Sequence, residues 1–529
     1  MNPYLRRALG GLATGALLTG TVWAGSVIVP VNPDLDAATD VLSADTGIDA
    51  PAAAAALAED AISVGAAAIS LEPRPADFGG VWVTDRDTCR TVPPLAPHES
   101  NVEEGMAHAA DWRSPWIENT NCIYMGGFGL GPENPVTSWD QDYGLYARTT
   151  VFTDAAGDTI SLTLLDAEGY FSDYNNMCGP LVPRCGSQEI ADDLAAEMGL
   201  PSSDGIIVAS THSHSALDLI GGWGGVPAWY MDQVATAIKD SIRQAYANRV
   251  PVTLEAGEVF AREFNNERRG GYRSAEDPSL NYVRAIDENG AVVATVATYA
   301  AHPTNGGQTD SGEAHGDFPA IFAKTAEAEF GGVATIIQNG LGNMSGAKGM
   351  VERGTGLAVK LPPVGSGTMV PSTDIKVKRA AWDHPVTNVP LGSLGAAGFF
   401  DHPFGGPAAV DVGRQTVNHC RSASATSAHV SVTAAKIGGL WISAAPGEVF
   451  ANYTNTIDEK APIVALALAQ ANDALGYMPQ SFEMGFATSR EGAGFVDSDY
   501  FHEYEDAYAI DECFGDMAME TTLGLFNSL

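Results

Sequence analysis

From Ile62 to the C-terminus the chain alternates short apolar runs with amphipathic stretches, and this alternation limits the folds open to it. Apolar runs at 159–165, 206–209, 292–299, 334–337 and 440–444 read as strands, each followed by a loop holding polar or charged residues. The segments 187–198, 228–247 and 318–329 repeat apolar residues at spacings of three and four, which predicts helices. Strands alternating with helices predict an α/β fold: a mixed central β-sheet flanked by helices, in a single large domain over 62–529 without internal repeats. In such sheets functional residues gather in the loops beyond strand ends.

Arg6 and Arg7 precede an uncharged, largely apolar run at 8–24 that ends in Val22-Trp23-Ala24, with small residues where a signal peptidase reads. Residues 1–24 are therefore expected to be a secretory signal peptide. Gly10, Gly11, Gly15 and Gly20 weaken the run as a membrane span, so no stable transmembrane anchoring is expected. Residues 25–61 are rich in Ala and Asp with few large apolar side chains, the composition of a mobile linker. Six cysteines in a chain bound for an oxidising compartment predict disulfides rather than thiolate metal sites. Sequence order suggests that Cys178 and Cys185 close a short loop around Gly179-Pro180. The expected location is secreted, extracellular or periplasmic. With 65 acidic against 28 basic residues, the net charge of −37 repels nucleic acid and anionic membrane surfaces, which excludes both as partners.

Ile206-Ile207-Val208-Ala209 leads into Ser210-Thr211-His212-Ser213-His214-Ser215. If the extended conformation continues, His212 and His214 project from one face, where two imidazoles can share a metal. His302, in Ala301-His302-Pro303-Thr304, again ends an apolar run, with Pro303 stopping the strand. Glu448, in Pro446-Gly447-Glu448, follows the strand at 440–444. Three potential ligands at three strand ends is an arrangement that zinc hydrolases use with an open position for water. The bland alternative is that His302 caps a strand and Glu448 opens a helix. Ser345 lies in a Gly-rich segment, 338–346, whose backbone N–H groups could face a substrate oxygen. It is not in a GxSxG elbow, so an α/β-hydrolase triad is not supported. Asn343-Met344-Ser345 also matches a glycosylation sequon.

Together these pieces resemble the neutral/alkaline non-lysosomal ceramidases, zinc amidases that hydrolyse the N-acyl bond of ceramides. The resemblance runs from about Ser63 to the C-terminus. Residues 64–73 are similar to the family's VGAAKADITP-like opening strand, 145–148 to its LYAR segment, 211–215 to THTHS, 302–304 to HPT and 446–448 to PGE, in the same order. The resemblance implies one Zn2+ per chain, held by His212, His302, Glu448 and Tyr477, the last in Asn472-Asp473-Ala474-Leu475-Gly476-Tyr477. It implies that His214 binds substrate or moves protons, and that Arg268 or Arg269 matches the family's Asn-Arg motif. Ser345 matches the family's serine but sits in Gly342-Asn343-Met344-Ser345-Gly346, where the family has GDVSP. The chain stops at Leu529, near the end of the family's catalytic domain, so no C-terminal immunoglobulin-like domain is expected. The implied substrate is lipid-like, the N-acyl amide of ceramide or a related N-acyl lipid. Another amide or ester on the same scaffold, or a non-catalytic binding relative, stays open, as does the oligomeric state.

Overall fold

The computed structural model describes residues 62–89, 121–127, 132, 134–269, 275–304, 312–396, 398, 400–413, 419–484 and 503–529. The signal peptide expected at 1–24 and the linker expected at 25–61 lie outside the described residues.

Eight strands make the main path of a mixed, nine-stranded sheet: β1 (Ser63–Ser70), β2 (Tyr146–Thr153), β3 (Thr159–Leu165), β4 (Ile206–Ser210), β5 (Val250–Phe260), β6 (Ser279–Asp287), β7 (Val292–Tyr299) and β8 (Val333–Gln338). Their order is β8-β7-β6-β5-β1-β2-β3-β4, with Thr368–Met369 pairing to β5. Neighbours run antiparallel except for β3 with β4 and β7 with β8, which are parallel. A second, five-stranded sheet has the order β9 (Ile375–Pro385), β10 (Ser427–Ile437), β11 (Leu440–Ala444), β12 (Val464–Leu468), and Phe404–Gly405 pairs with β10. Only β11 with β12 is parallel there.

The two sheets share one buried cluster, in which Val64, Phe152, Leu162 and Ile207 meet Ile437, Leu440, Ile442 and Leu466. On the other face of the first sheet, Ile190 and Leu194 of α1 (Ser187–Met198) and Val234 and Ile238 of α2 (Ala228–Ala247) pack with Ile206 and Val208. Toward β6–β8, Phe318 and Phe322 of α3 (Asp317–Phe330) and Leu357 of α4 (Met350–Lys360) cover Tyr282, Ala297 and Ile336. The second sheet is covered by Phe514 and Met519 of α5 (Phe514–Ser528) against Val430 and Val432. Layers of helix, sheet, sheet and helix result. Strands between two layers bury both faces, which is why β4 opens as an unbroken apolar run and why β3 buries Thr159, Ser161 and Thr163 along with its apolar residues. Gly65 allows α2 to lie against β1, because a Cβ there would come 2.1 Å from the Ala245 carbonyl oxygen.

The expected α/β class and the mixed sheet flanked by helices are present, with two stacked sheets where the apolar runs alone suggested one. β3, β7, β11, α1 and α2 begin and end where the sequence pattern does. β4 is one residue longer, and β8 and α3 gain a residue at each end. Cys178 pairs with Cys185 as its position suggested, and Cys89–Cys122 and Cys420–Cys513 form two further disulfides. No helix among the described residues is long and apolar enough to cross a membrane.

Candidate metal centre and substrate cavity

The candidate ligands come together because loops after four strands are stitched to one another. Past the end of β12, Gln470 accepts a hydrogen bond from the Ser210 N–H at the end of β4 (2.9 Å), and the Ala469 N–H donates to Gln338 at the end of β8 (2.8 Å). The strand ends of the two sheets therefore share one edge, and the segments 211–215, 300–304, 446–448 and 470–477 leave from it. Glu448–Val449 then pairs in parallel with Tyr477–Met478, with Glu448 directly opposite Tyr477.

The extended conformation expected through the His212 segment does not continue. β4 ends at Ser210, and His212 has φ 59°, a left-handed backbone that is strained for a residue other than glycine. The turn still brings both imidazoles to the same place, edge to face with ring centroids 5.1 Å apart, and the His302 ring lies 5.0 Å from that of His212. Gln470 and Asn472, also at positive φ, line the same bend from the other sheet.

His212 Nδ1–H donates to the Glu168 carbonyl (2.7 Å), and His302 Nδ1–H to the Leu341 carbonyl (2.9 Å). That fixes each tautomer and leaves Nε2 with its lone pair, as metal-binding histidines require. Glu448 Oε2 stands 3.5 Å from His212 Nε2 and 3.2 Å from His302 Nε2, and the Tyr477 hydroxyl is 3.4 Å from His302 Nε2. Four ligands at about 2.0–2.1 Å around a tetrahedral ion are separated by about 3.3–3.4 Å, so these spacings suit such an ion. Glu448 Oε2 is buried and receives no hydrogen bond, which leaves an acceptor that a cation would satisfy. His212, His214 and His302 also form a cluster whose ring nitrogens are close enough to hold a metal ion.

Burial dominates the electrostatics. It lowers His212 to about 4 and holds His214 and His302 well below the ordinary imidazole range, so all three rings are neutral near pH 7. Burial raises the Glu448 carboxyl, against the opposing pull of His212 and Arg268.

Arg268 and Arg269, equivalent by sequence, part company in space. Arg268 donates from Nη2 to the Tyr477 hydroxyl and to the Gly342 carbonyl (both 2.9 Å) and pairs through Nε with Glu505 (2.8 Å). Arg269 is buried over the Phe450 ring, and its Nη2 lies 3.5 Å from Asp506. Ser345 is in a short strand, Met344–Gly346, paired with Asn265–Glu267 just before Arg268. Its neighbour Met344 accepts the His302 N–H (3.0 Å), so this segment holds the His302 backbone. The N–H groups of Leu341, Gly342 and Met344 are spent on Asn339, Val449 and Leu341 carbonyls. The sequon is not usable in the folded protein: Asn343 is 0% exposed, and its amide bonds the Ala275 carbonyl and the Ala451 N–H.

A cavity of about 370 Å³ opens onto the cluster, with His212, His214, Glu448 and Tyr477 in its wall. Most of the remaining wall is apolar, including Phe171, Ile220, Leu391, Phe400, Phe404 and Ile510. The polar exceptions, Glu168, Gln470 and His402, were not among the residues singled out in the sequence. Of these, only His402 carried a signal: His402-Pro403 repeats the His302-Pro303 dipeptide. Gly127, at φ 94°, passes so close to His214 that a Cβ would lie 2.4 Å from its ring.

The fold and this buried cluster define a two-sheet α/β domain with a candidate metal centre at its shared strand ends. No protein-family model and no curated protein matches the chain in sequence. Solved structures do match it in fold, two ceramidases among them. Neutral ceramidase from Pseudomonas aeruginosa aligns with a TM-score of 0.53 at 14% identity, covering 89% of this chain and 75% of that one. A ceramidase complexed with C2 aligns at 0.57 and 14%, covering 88% and 74%. The resemblance carried by the sequence motifs is thus met in the fold.

Proposed function

We propose that this protein is a secreted, zinc-dependent amide hydrolase that cleaves the N-acyl bond of ceramide or a related N-acyl lipid. The observation that carries the reading is the convergence of His212 Nε2, His302 Nε2, Glu448 Oε2 and the Tyr477 hydroxyl at the wall of an apolar cavity. These four residues would hold zinc, which when bound supplies Lewis acidity to activate water and polarise a carbonyl. Tyr477 is an unusual partner in such a set, and Arg268 makes it a reasonable one, because a guanidinium 2.9 Å away stabilises negative charge on the phenol oxygen.

The chain's own groups divide the remaining work. His214, neutral and held against Gly127, is the proton carrier that relays a proton to the leaving amine. Arg268 puts positive charge beside the reacting carbonyl and stabilises the charge that develops on its oxygen. Ser345 contributes by holding His302 through its strand. The apolar wall takes the lipid chain, at about 0.8 kcal/mol per buried methylene. Three disulfides support an extracellular or periplasmic setting.

The test is a substrate panel: release of fatty acid from N-acyl sphingosine by the metal-loaded protein, beside simple esters and other N-acyl amines. Preferential cleavage of the N-acyl lipid supports the reading. Preference for esters would move the protein to another reaction on this scaffold, and inertness across the panel would make it a binding relative.

A further inference from the structure

His402 is a polar residue placed with care in an apolar part of the cavity wall. It is 3% exposed and lies between two aromatic rings, with centroids 5.0 Å from Phe171 and 5.9 Å from Phe404. Its segment is pinned on both sides. Asp401 accepts the backbone N–H groups of Asn176 and Met177, and Phe404 joins the edge of the second sheet opposite Ala428. His402 Nε2 is 3.2 Å from Asp473 Oδ2, which also accepts the Ser172 hydroxyl (2.6 Å), while Oδ1 accepts the Ala474 N–H (2.9 Å). Asp473 is itself buried, so the carboxylate is fully engaged in fixing the ring. Nδ1, buried as well, makes no well-formed hydrogen bond, and the neighbouring Pro403 carbonyl gives only weak support to a ring N–H. A buried polar atom left unpaired is costly, and a fixed one in a ligand cavity is suited to a ligand's polar group.

We propose that His402, oriented by Asp473, is a specificity-determining residue that binds a hydroxyl group on the lipid chain entering this cavity. The ring's other nitrogen is committed to Asp473, so Nδ1 either donates, when the ring is charged, or accepts, when it is neutral. A hydroxyl satisfies both states, because it is donor and acceptor at once. An unsubstituted methylene satisfies neither and leaves Nδ1 unpaired. Burial works against the charged ring, but the neighbouring carboxylate prevails and raises its pKa above the ordinary value. With a charged ring the Asp473–His402 pair carries no net charge, and with a neutral ring it carries a negative one, so in neither state does it attract an anionic group. The inference rests on the proposed lipid-amide reading but concerns binding, and so it can be tested apart from catalysis.

The experiment measures affinity by calorimetry for two pairs of product-like ligands: a medium-chain amino alcohol against its deoxy amine, and a medium-chain hydroxy acid against its unsubstituted parent. The two arms show whether the hydroxyl is read on the amine or the acyl side. The account expects the hydroxylated member of at least one pair to bind about tenfold more tightly. It expects His402→Phe, which keeps an aromatic ring in the gap, to erase that preference without weakening the deoxy ligand. His402→Gln, which restores a donor and an acceptor, should recover part of it, and Asp473→Asn should reduce it. Absence of any preference, its survival in His402→Phe, or failure of all four ligands to bind would overturn the proposal. A protein that shows the preference yet hydrolyses no amide would retain this site and lose the proposed reaction.

Discussion

Glu448 Oε2 and His302 Nε2 lie 3.2 Å apart, one from the loop after a strand of the second sheet and the other from the loop after a strand of the first. The contact places a buried carboxylate oxygen without a donor beside a ring nitrogen whose lone pair is exposed by its tautomer. Neither group satisfies the other unless a proton or a cation stands between them.

This relationship predicts opposite effects of one substitution on stability and function. Glu448→Gln removes a charge that burial disfavours, so the metal-free variant should be more stable than the metal-free wild type by about 1–3 kcal/mol. Metal-dependent stabilisation and hydrolysis should both be lost. Chemical denaturation with and without added zinc measures the two effects together.

The two arginines are expected to separate in the same manner as their surroundings. Arg268→Ala should lower kcat by about 100- to 1,000-fold through loss of charge stabilisation, and should also destabilise the fold, because buried Glu505 loses its 2.8 Å partner. Arg269→Ala should leave turnover per folded molecule nearly intact and destabilise the protein by about 3 kcal/mol, because buried Asp506 loses a partner. Steady-state kinetics and urea denaturation on both variants test the assignment.

Gly127→Ala should act on His214 alone. The added methyl would meet the imidazole at 2.4 Å on a backbone at φ 94°, so either the ring or the loop must move. Metal content should stay near the wild-type value while hydrolysis falls at least about tenfold, the low end for a displaced proton-transfer group.

A pH dependence of stability follows from Glu483. Burial raises its carboxyl to about 7, against the lowering effect of hydrogen bonds from the Gln480 N–H and Asn452. The folded protein therefore keeps a proton that the unfolded chain releases near the ordinary value of 4.5. Stability falls as pH rises from about 4.5 to 7, by about 3 kcal/mol for this group, and its contribution is constant above. Glu483→Gln should flatten that part of the profile in urea titrations at pH 5 and pH 8.

Much of the scaffold was legible because its inner strands are buried on both faces. The run at β3 is bounded by Asp158 and Asp166, that at β7 follows Gly290-Ala291, and that at β11 lies between Gly439 and Ala445-Pro446, and each strand spans its run. The second sheet was less visible, since β9 is largely exposed or half-buried and carries no continuous apolar run. His212, His302 and Glu448 could be placed at strand ends because each follows an apolar run directly. The left-handed turn at His212 could not, since it is held by tertiary contacts, the Thr211 and His212 N–H groups donating to the Leu165 and Ala167 carbonyls (both 2.9 Å), and not by local sequence. Tyr477 meets Glu448 through a two-residue parallel ladder too short to leave a periodic pattern. The choice between Arg268 and Arg269 depended on which of two adjacent side chains faces Tyr477, and only the three-dimensional neighbours decide that.

The central claim is that His212, His302, Glu448 and Tyr477 bind one zinc ion. Zinc X-ray absorption on the purified protein, with metal quantified in the same sample and in His212→Ala and Glu448→Ala, addresses it most directly. The account predicts one zinc per chain, four nitrogen and oxygen ligands at about 2.0–2.2 Å, no sulfur, and loss of stoichiometric metal in both variants. Wild-type protein without stoichiometric zinc, or zinc retained unchanged in both variants, would contradict it.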